Sequence, residues 1–363
     1  MYAGVLEVSD GIPSRRSWLG EQRLAWENRA DLRRNPRYAP GLNIYRPEPV
    51  STPCSCGLEH STSLANWQGF SRPITFAYRM GTEKLGNVLL RGFQVADMLL
   101  SLGAPVPVTV QPIENLYRSQ PKNHIIIVLK TAVRPRSIPM LKSLRKRGNL
   151  LLFDLVDDVQ NPEVERYADG FICASITEDN HRRAAGQLTI RSLQSPDQRT
   201  PCFPFNDRSF STVYYGLPEN ARYLDQLAGL DVINFVDMPA HRSTQGLPSV
   251  FDRLKTYSHH YSVRAWNDRD GFKPMMKGFF AGRLGSVVIA SAEDEESRVV
   301  LGDSYPYLAP TSKLEDVQET FAHAAQTHGG NEWRAAARKM EEIRGLSCPV
   351  STALDLIQGL QKL

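Results

Sequence analysis

The chain has 363 residues, of which 41% are hydrophobic and 23% charged, and its formal charge is +4. These values suit a globular protein of two ordinary domains and exclude disorder throughout. So small a charge also excludes a dedicated nucleic-acid binder.

Five cysteines, Cys54, Cys56, Cys173, Cys202 and Cys348, are too few and too odd in number for a disulfide scaffold. Cys54 and Cys56 with His60 lack the second ligand pair of a structural zinc site, so no metal site is read here. No apolar run approaches the ~20 residues of a membrane span, and the N-terminus lacks a basic-then-apolar leader. The expected location is the cytoplasm. Basic runs at 134–136, 142–147 and 182–183 read first as solvated helix faces. Contact with acidic headgroups, which would make the protein peripheral on the inner face of the membrane, is the alternative.

In chain order, residues 1–72 form an irregular extension of unassigned role, with a short helix expected over 19–32. From Pro73 strands and helices alternate. Strands are expected at 74–78, 106–110, 124–129, 150–155 and 170–174, with helices at 87–102, 137–147 and 177–185. The wholly apolar run 124–129 suits a strand buried on both faces of a parallel sheet. A Pro- and Ser-rich interval at 195–207 reads as a linker or domain edge.

The alternation then restarts. A strand at 212–215 ends at Gly216, a helix is expected at 219–228, and a strand, a helix and a strand follow at 232–236, 249–256 and 260–263. Lys273-Pro274 opens a helix that carries Lys277 and closes at Gly285. A strand at 286–290, an acidic stretch and helices at 313–327, 331–343 and 351–362 complete the chain. The pattern predicts an α/β protein with two Rossmann-like doubly wound domains facing a cleft, at 73–205 and 206–345, and a C-terminal helix within 346–363.

Phosphate-loop, dinucleotide, zinc-protease and serine-hydrolase fingerprints are absent. The pair Lys273 and Lys277 stands out. Four residues apart on one helix face they repel, and cations at a helix N-terminus oppose its dipole. A bound anion there resolves both conflicts; two solvated lysines are the plainer alternative. The loop Gly81 to Gly86, with Glu83 in it, has glycines that let backbone approach a ligand, or else is an ordinary turn.

The block Lys273-Pro274-x-x-Lys277-x-x-x-Ala281-x-x-x-Gly285, with the strand ending at Ser291 and the acids Glu293, Glu295 and Glu296 after it, resembles the C-terminal half of GT-B-fold glycosyltransferases that use nucleotide sugars. Arg264 precedes the block as the family's strand-end arginine does. In the first half, Asp154, Asp157 and Asp158, then Ala168-Asp169 and Ser175, look like the family's D-x-x-D and A-D-x-x-x-x-x-S pattern. The resemblance covers residues 73–345 in architecture.

It implies a metal-independent enzyme with no cofactor, which moves a hexose from a nucleotide diphosphate sugar to a glycan, lipid-linked or small-molecule acceptor, as in polysaccharide biosynthesis. Arg264, Lys273 and Lys277 would stabilise the leaving diphosphate. Glu293 or Glu296 would hold the ribose, with helix-start acids offsetting the dipole as the alternative. Gly216 and Ser291 would line the donor site. Gly81, Glu83, Gly86, Asp157 and Asp158 would line the first-domain side, the acids as candidate bases of an inverting reaction. The lysine motif and the first loop favour retention. One departure stands out: where many retaining members carry an E-x7-E pair, this chain has Phe272 and Phe280. Two other readings remain at this point, a non-catalytic partner subunit on the same fold and a nucleotide-sugar epimerase.

Overall fold

The computed structural model describes residues 67–157, 161–205, 209–234, 247–266 and 272–363, all within the unit Arg46–Leu363. The helix expected at 19–32, together with Cys54, Cys56, His60 and Asp158, lies outside the described residues.

The first sheet has six parallel strands, β1 (Ile74–Tyr78), β2 (Val108–Pro112), β3 (Ile125–Leu129), β4 (Leu150–Asp154), β5 (Gly170–Cys173) and β6 (Thr189–Arg191), in the order β2-β1-β3-β4-β5-β6. Every residue of β1 and β3 is buried, as expected of central strands rich in Ile and Val that are covered on both faces. Helices α1 (Gln94–Ser101), α2 (Ile113–Ser119), α3 (Ile138–Lys146), α4 (Pro162–Glu165) and α5 (Ile176–Ala184) accompany the sheet.

The second sheet, also parallel, is built from β7 (Thr212–Gly216), β8 (Leu230–Asn234), β9 (His259–Tyr261), β10 (Val287–Ser291) and β11 (Leu308–Ala309), ordered β11-β10-β9-β7-β8. Its helices are α6 (Leu247–Leu254), α7 (Met276–Arg283), α8 (Glu295–Leu301), α9 (Leu314–Thr327), α10 (Asn331–Leu346) and α11 (Pro349–Leu360). Among the described residues no helix is long and apolar enough to cross a membrane. Both sheets follow one path: the second strand is added on one side of the first, and the third on the other. The order therefore reverses between β1 and β3 and again between β7 and β9, and ligands of such sheets bind beyond the carboxyl ends of strands at these switch points.

Three expectations change. The helix expected at 219–228 is replaced by a short turn at Pro218–Asn220. Its backbone bonds sideways instead: Ala221 bridges Arg264, Arg222 N donates to Val263 O, and Tyr223 takes a φ of 60° that no helix allows. Helix α7 starts at Met276, so Lys273 and Pro274 precede it and the two lysines do not share a helix face. There Pro274 O accepts from both Met276 N and Arg264 Nη2. Finally, α2 and β6 were not anticipated. Each is short, and β6 exposes Arg191 beside the buried Ile190.

The interval expected as a linker does carry the chain from β6 to β7, but its first half is buried. Gln94 of α1 grips it, donating to Ser195 Oγ (2.7 Å) and Pro196 O (3.0 Å) and accepting from Gln198 N (2.7 Å). From the second domain, Arg283 donates to Thr200 O and Arg344 to Phe203 O. Gly285, with φ +67°, lies so close to this strand of chain that a β-carbon would stand 2.3 Å from Pro204 O. Helix α11 returns to the first sheet, where Ser192 donates to Thr352 O and Gly359 presses against Ile190.

Candidate functional site

At the switch point of the second sheet, β7 ends in Gly216, whose φ of +137° favours glycine. A β-carbon there would stand 3.8 Å from the Lys277 amine. Lys277 is the second residue of α7 and is half-buried, with its Nζ over the rings of Tyr214 (4.8 Å) and Tyr215 (5.8 Å). Among the described residues its amine has no hydrogen-bond acceptor. Burial brings its pKa down to about 7; the neighbouring Arg264 and Lys273 act in the same direction and Asp294 opposes them.

Arg264 follows β9. Its Nε stands 2.9 Å from Asp294 Oδ2 as an ion pair, and its Nη2 donates to Pro274 O (2.7 Å). The half-exposed indole of Trp266 lies 5.6 Å from this guanidinium and 5.8 Å from Lys273 Nζ, so both cations share its ring. Three cations therefore gather at the carboxyl end of the sheet. Asp294, which also acts on Lys277, is buried and paired with Arg264. Such an arrangement favours an anion, because negative charge would relieve the repulsion that Arg264 and Lys273 exert on Lys277 and meet an amine that has no acceptor among the described residues.

The remaining expected donor-side residues diverge. Ser291 is buried, shares a hydrogen bond with Ser312 Oγ (2.8 Å) and accepts from Glu293 N (3.2 Å), so it shapes the turn that presents the acids. Glu293 is exposed at the mouth of the site. Glu296 is buried and points to the other domain: its carboxylate accepts from Ile176 N (3.1 Å), Thr177 N (2.9 Å) and Thr177 Oγ1 (2.8 Å), capping α5. Burial raises its pKa and those hydrogen bonds work against the rise. Phe272 packs on the His181 ring of α5 (4.9 Å), whereas Phe280 packs among Tyr215 (5.9 Å) and Phe251 (5.8 Å). Since α5 and α8 both begin at the carboxyl ends of their sheets, it is those ends that meet.

On the first-domain side, the loop after β1 exposes Gly81 (φ +81°) and Gly86 and leaves Glu83 half-buried. Met80 N donates to Glu114 (3.0 Å). The Tyr78 hydroxyl is pushed up to about 12 by burial, with Glu83 and Glu114 adding to the rise. Asp157 is partly exposed and paired with Lys130 at 2.5 Å. Asp154 lies beneath them, buried against Arg91 at 2.8 Å. Sequence reasoning missed Asp294, Trp266 and Lys130. Asp294 had a readable signal, since Asp three residues before Ser297 and ahead of an apolar run is a helix cap; Trp266 and Lys130 carry none.

By sequence, the chain matches no family model and no curated protein. By structure it does match solved proteins. A glycosyltransferase from Rickettsia africae aligns with TM-score 0.53 and 8% identity over 81% of this chain and 98% of that one. HepE of Anabaena, solved in complex with UDP-glucose, aligns with TM-score 0.51 and 12% identity over 81% and 100%. The trehalose 6-phosphate synthase of Burkholderia multivorans gives 0.51 and 10% over 80% and 98%. The fold is GT-B. In GT-B terms, the first sheet belongs to the N-terminal domain, the second to the C-terminal domain, and the cation cluster stands at the C-terminal domain's switch point.

Proposed function

We propose that the protein is a glycosyltransferase that moves a hexose from a nucleotide diphosphate sugar to a glycan, lipid-linked or small-molecule acceptor. The C-terminal domain holds the donor and the N-terminal domain the acceptor. The observation that supports this reading is the set Arg264, Lys273 and Lys277 gathered at the carboxyl end of the second sheet, with a Lys277 amine that has no acceptor among the described residues. When the glycosidic bond breaks, negative charge develops on the diphosphate. Cations fixed in place, with no water to reorganise, stabilise that charge more than the ground state. Arg264 and the lysines supply the charge that a metal supplies in other transferases, so transfer proceeds without one. Glu293, exposed beside the cluster, takes the ribose hydroxyls, and Gly216 lets the chain approach the phosphates. Asp157 and Glu83 lie on the acceptor side. Retention fits a site in which the leaving phosphate itself assists the incoming hydroxyl.

A second reading, a non-catalytic nucleotide-sugar binder, draws on Phe280, which fills an aromatic cluster where many retaining members carry an acid. An acceptor on a lipid carrier, with peripheral membrane contact, draws on the exposed Lys142, Arg145 and Lys146 of α3. Two measurements test these readings. Thermal unfolding with millimolar UDP, GDP and ADP is expected to rise for at least one nucleotide, by linkage. Transfer from the matching labelled nucleotide sugar is expected to survive EDTA. Silence of every nucleotide rejects both the transferase and the binder; stabilisation without turnover selects the binder.

A further inference from the structure

The cation cluster has a keeper that the donor reading does not use. Asp294 precedes α8 and is 2% exposed. Its Oδ2 pairs with Arg264 Nε at 2.9 Å and accepts from Ser297 Oγ (2.8 Å), and its Oδ1 accepts from Ser297 N (3.4 Å). A helix cap alone asks for much less. Ser, Thr or Asn would serve α8 as well, and a buried carboxylate is unfavourable unless a cation faces it. The residue is therefore explained by Arg264 rather than by the helix.

Two residues further on, Glu296 reaches the opposite way and caps α5 of the N-terminal domain. One helix start thus carries two buried carboxylates, one holding a donor-site cation and the other holding the facing domain.

We infer that Asp294 is a positioning residue for donor binding: it fixes the Arg264 guanidinium through Nε, leaving Nη1 for the diphosphate, and ties that hold to the contact between the domains through α8. The inference rests on the donor-site reading proposed above. Arg264 is anchored at two points, Asp294 and Pro274 O. Only the first is ionic. The groups around Lys277 are Arg264 after β9, Lys273 before α7, the rings of Tyr214 and Tyr215 on β7, and Asp294 before α8. Asp294 is the group that opposes the fall of the Lys277 pKa. Without it, Lys277 gives up its proton at lower pH.

The test uses Asp294→Asn, which keeps the cap and the volume and removes the charge; Asp294→Ser caps too but is too short to reach Arg264. The probe is UDP-glucose, whose diphosphate diester does not titrate near neutrality, with binding read by calorimetry from pH 5.5 to 8.5. Wild-type affinity is expected to fall as pH rises through about 7, and both variants are expected to move that fall to lower pH while keeping the wild-type melting temperature within a few degrees. In the wild type, Arg264→Ala is expected to weaken binding about tenfold or more, the worth of a charged hydrogen bond. In the Asp294→Asn background it is expected to cost less than threefold. An equal loss in both backgrounds together with an unmoved pH midpoint overturns the inference. If the wild type fails to bind UDP-glucose, UDP and pyrophosphate alike, the donor reading itself falls, and the inference falls with it.

Discussion

The two sheets follow the same strand path and present the same kind of switch point, yet the chemistry at the two is different. After β3 and β4, beside the first switch point, Lys130 is matched by Asp157, and the buried Arg91 pairs with Asp154 and donates to Leu193 O. Beyond β7 and β9, three cations meet a carboxylate that Arg264 already engages. On the proposed reading, topology creates two equivalent hollows, and charge balance decides which of them receives a diphosphate. A hollow whose charges are paired suits a sugar hydroxyl, which brings no charge; one that holds Lys277, whose amine has no acceptor among the described residues, suits an anion.

The largest effect expected from this contrast is at Lys277. Lys277→Ala removes the amine that has no acceptor among the described residues, and turnover is expected to drop by about 10²–10³, the loss typical of a single group that stabilises transition-state charge. The melting temperature should hold. Steady-state kinetics with the donor identified by thermal shift measures this, and a variant that retains full turnover would remove the contrast between the two hollows.

Next in size is Gly285→Ala, which probes the seam between the domains rather than either hollow. Its β-carbon would stand 2.3 Å from Pro204 O, and the φ of +67° is unfavourable for alanine. Overpacking of this kind costs about 1–3 kcal/mol, and the left-handed backbone adds about 1–2 kcal/mol. Urea unfolding is expected to shift to a lower midpoint, and an unchanged midpoint would mean that the crossover chain does not press on α7 in solution.

Gly285 also measures how far the sequence could be read. Its place in the lysine block looked like part of a ligand motif, and the structure gives it a packing reason as well. Among the described residues, periodicity and apolar runs located the long strands and helices, because burial on both faces leaves an unmistakable pattern in β1, β3 and β10. They failed at 219–228, where helix-forming residues are overridden by backbone bonds to the end of β9. They also placed the start of α7 too early, because Pro274 signals a first turn but here lends its carbonyl to Arg264. The cations of the site were legible as residue types at a spacing. The direction in which Glu296 points was not, because it depends on α5, more than a hundred residues away in the chain.

Glu296→Ala comes third. Three hydrogen bonds to the start of α5 disappear, but Ser175 Oγ still accepts from Glu178 N at 3.2 Å. One cap thus remains, and the loss is expected to be about 1–2 kcal/mol, the usual range for a helix cap. Unfolding followed by two probes, one in each domain, is the informative measurement. Transitions that coincide in the wild type should separate in the variant, since α5 and α8 would no longer share this bond.

The smallest expected effect is at Lys130, and it bears most directly on the contrast between the hollows. Lys130 and Asp157 are 26% and 38% exposed, so water screens their pair and its loss should change stability by about 1 kcal/mol or less. Lys130→Ala is accordingly expected to leave donor affinity within twofold of wild type. Its consequence should appear in KM for the acceptor, because Asp157 loses the cation that orients it. A tenfold loss of donor affinity on this change would mean that the diphosphate reaches across to the N-terminal domain, and that charge balance does not separate the two hollows.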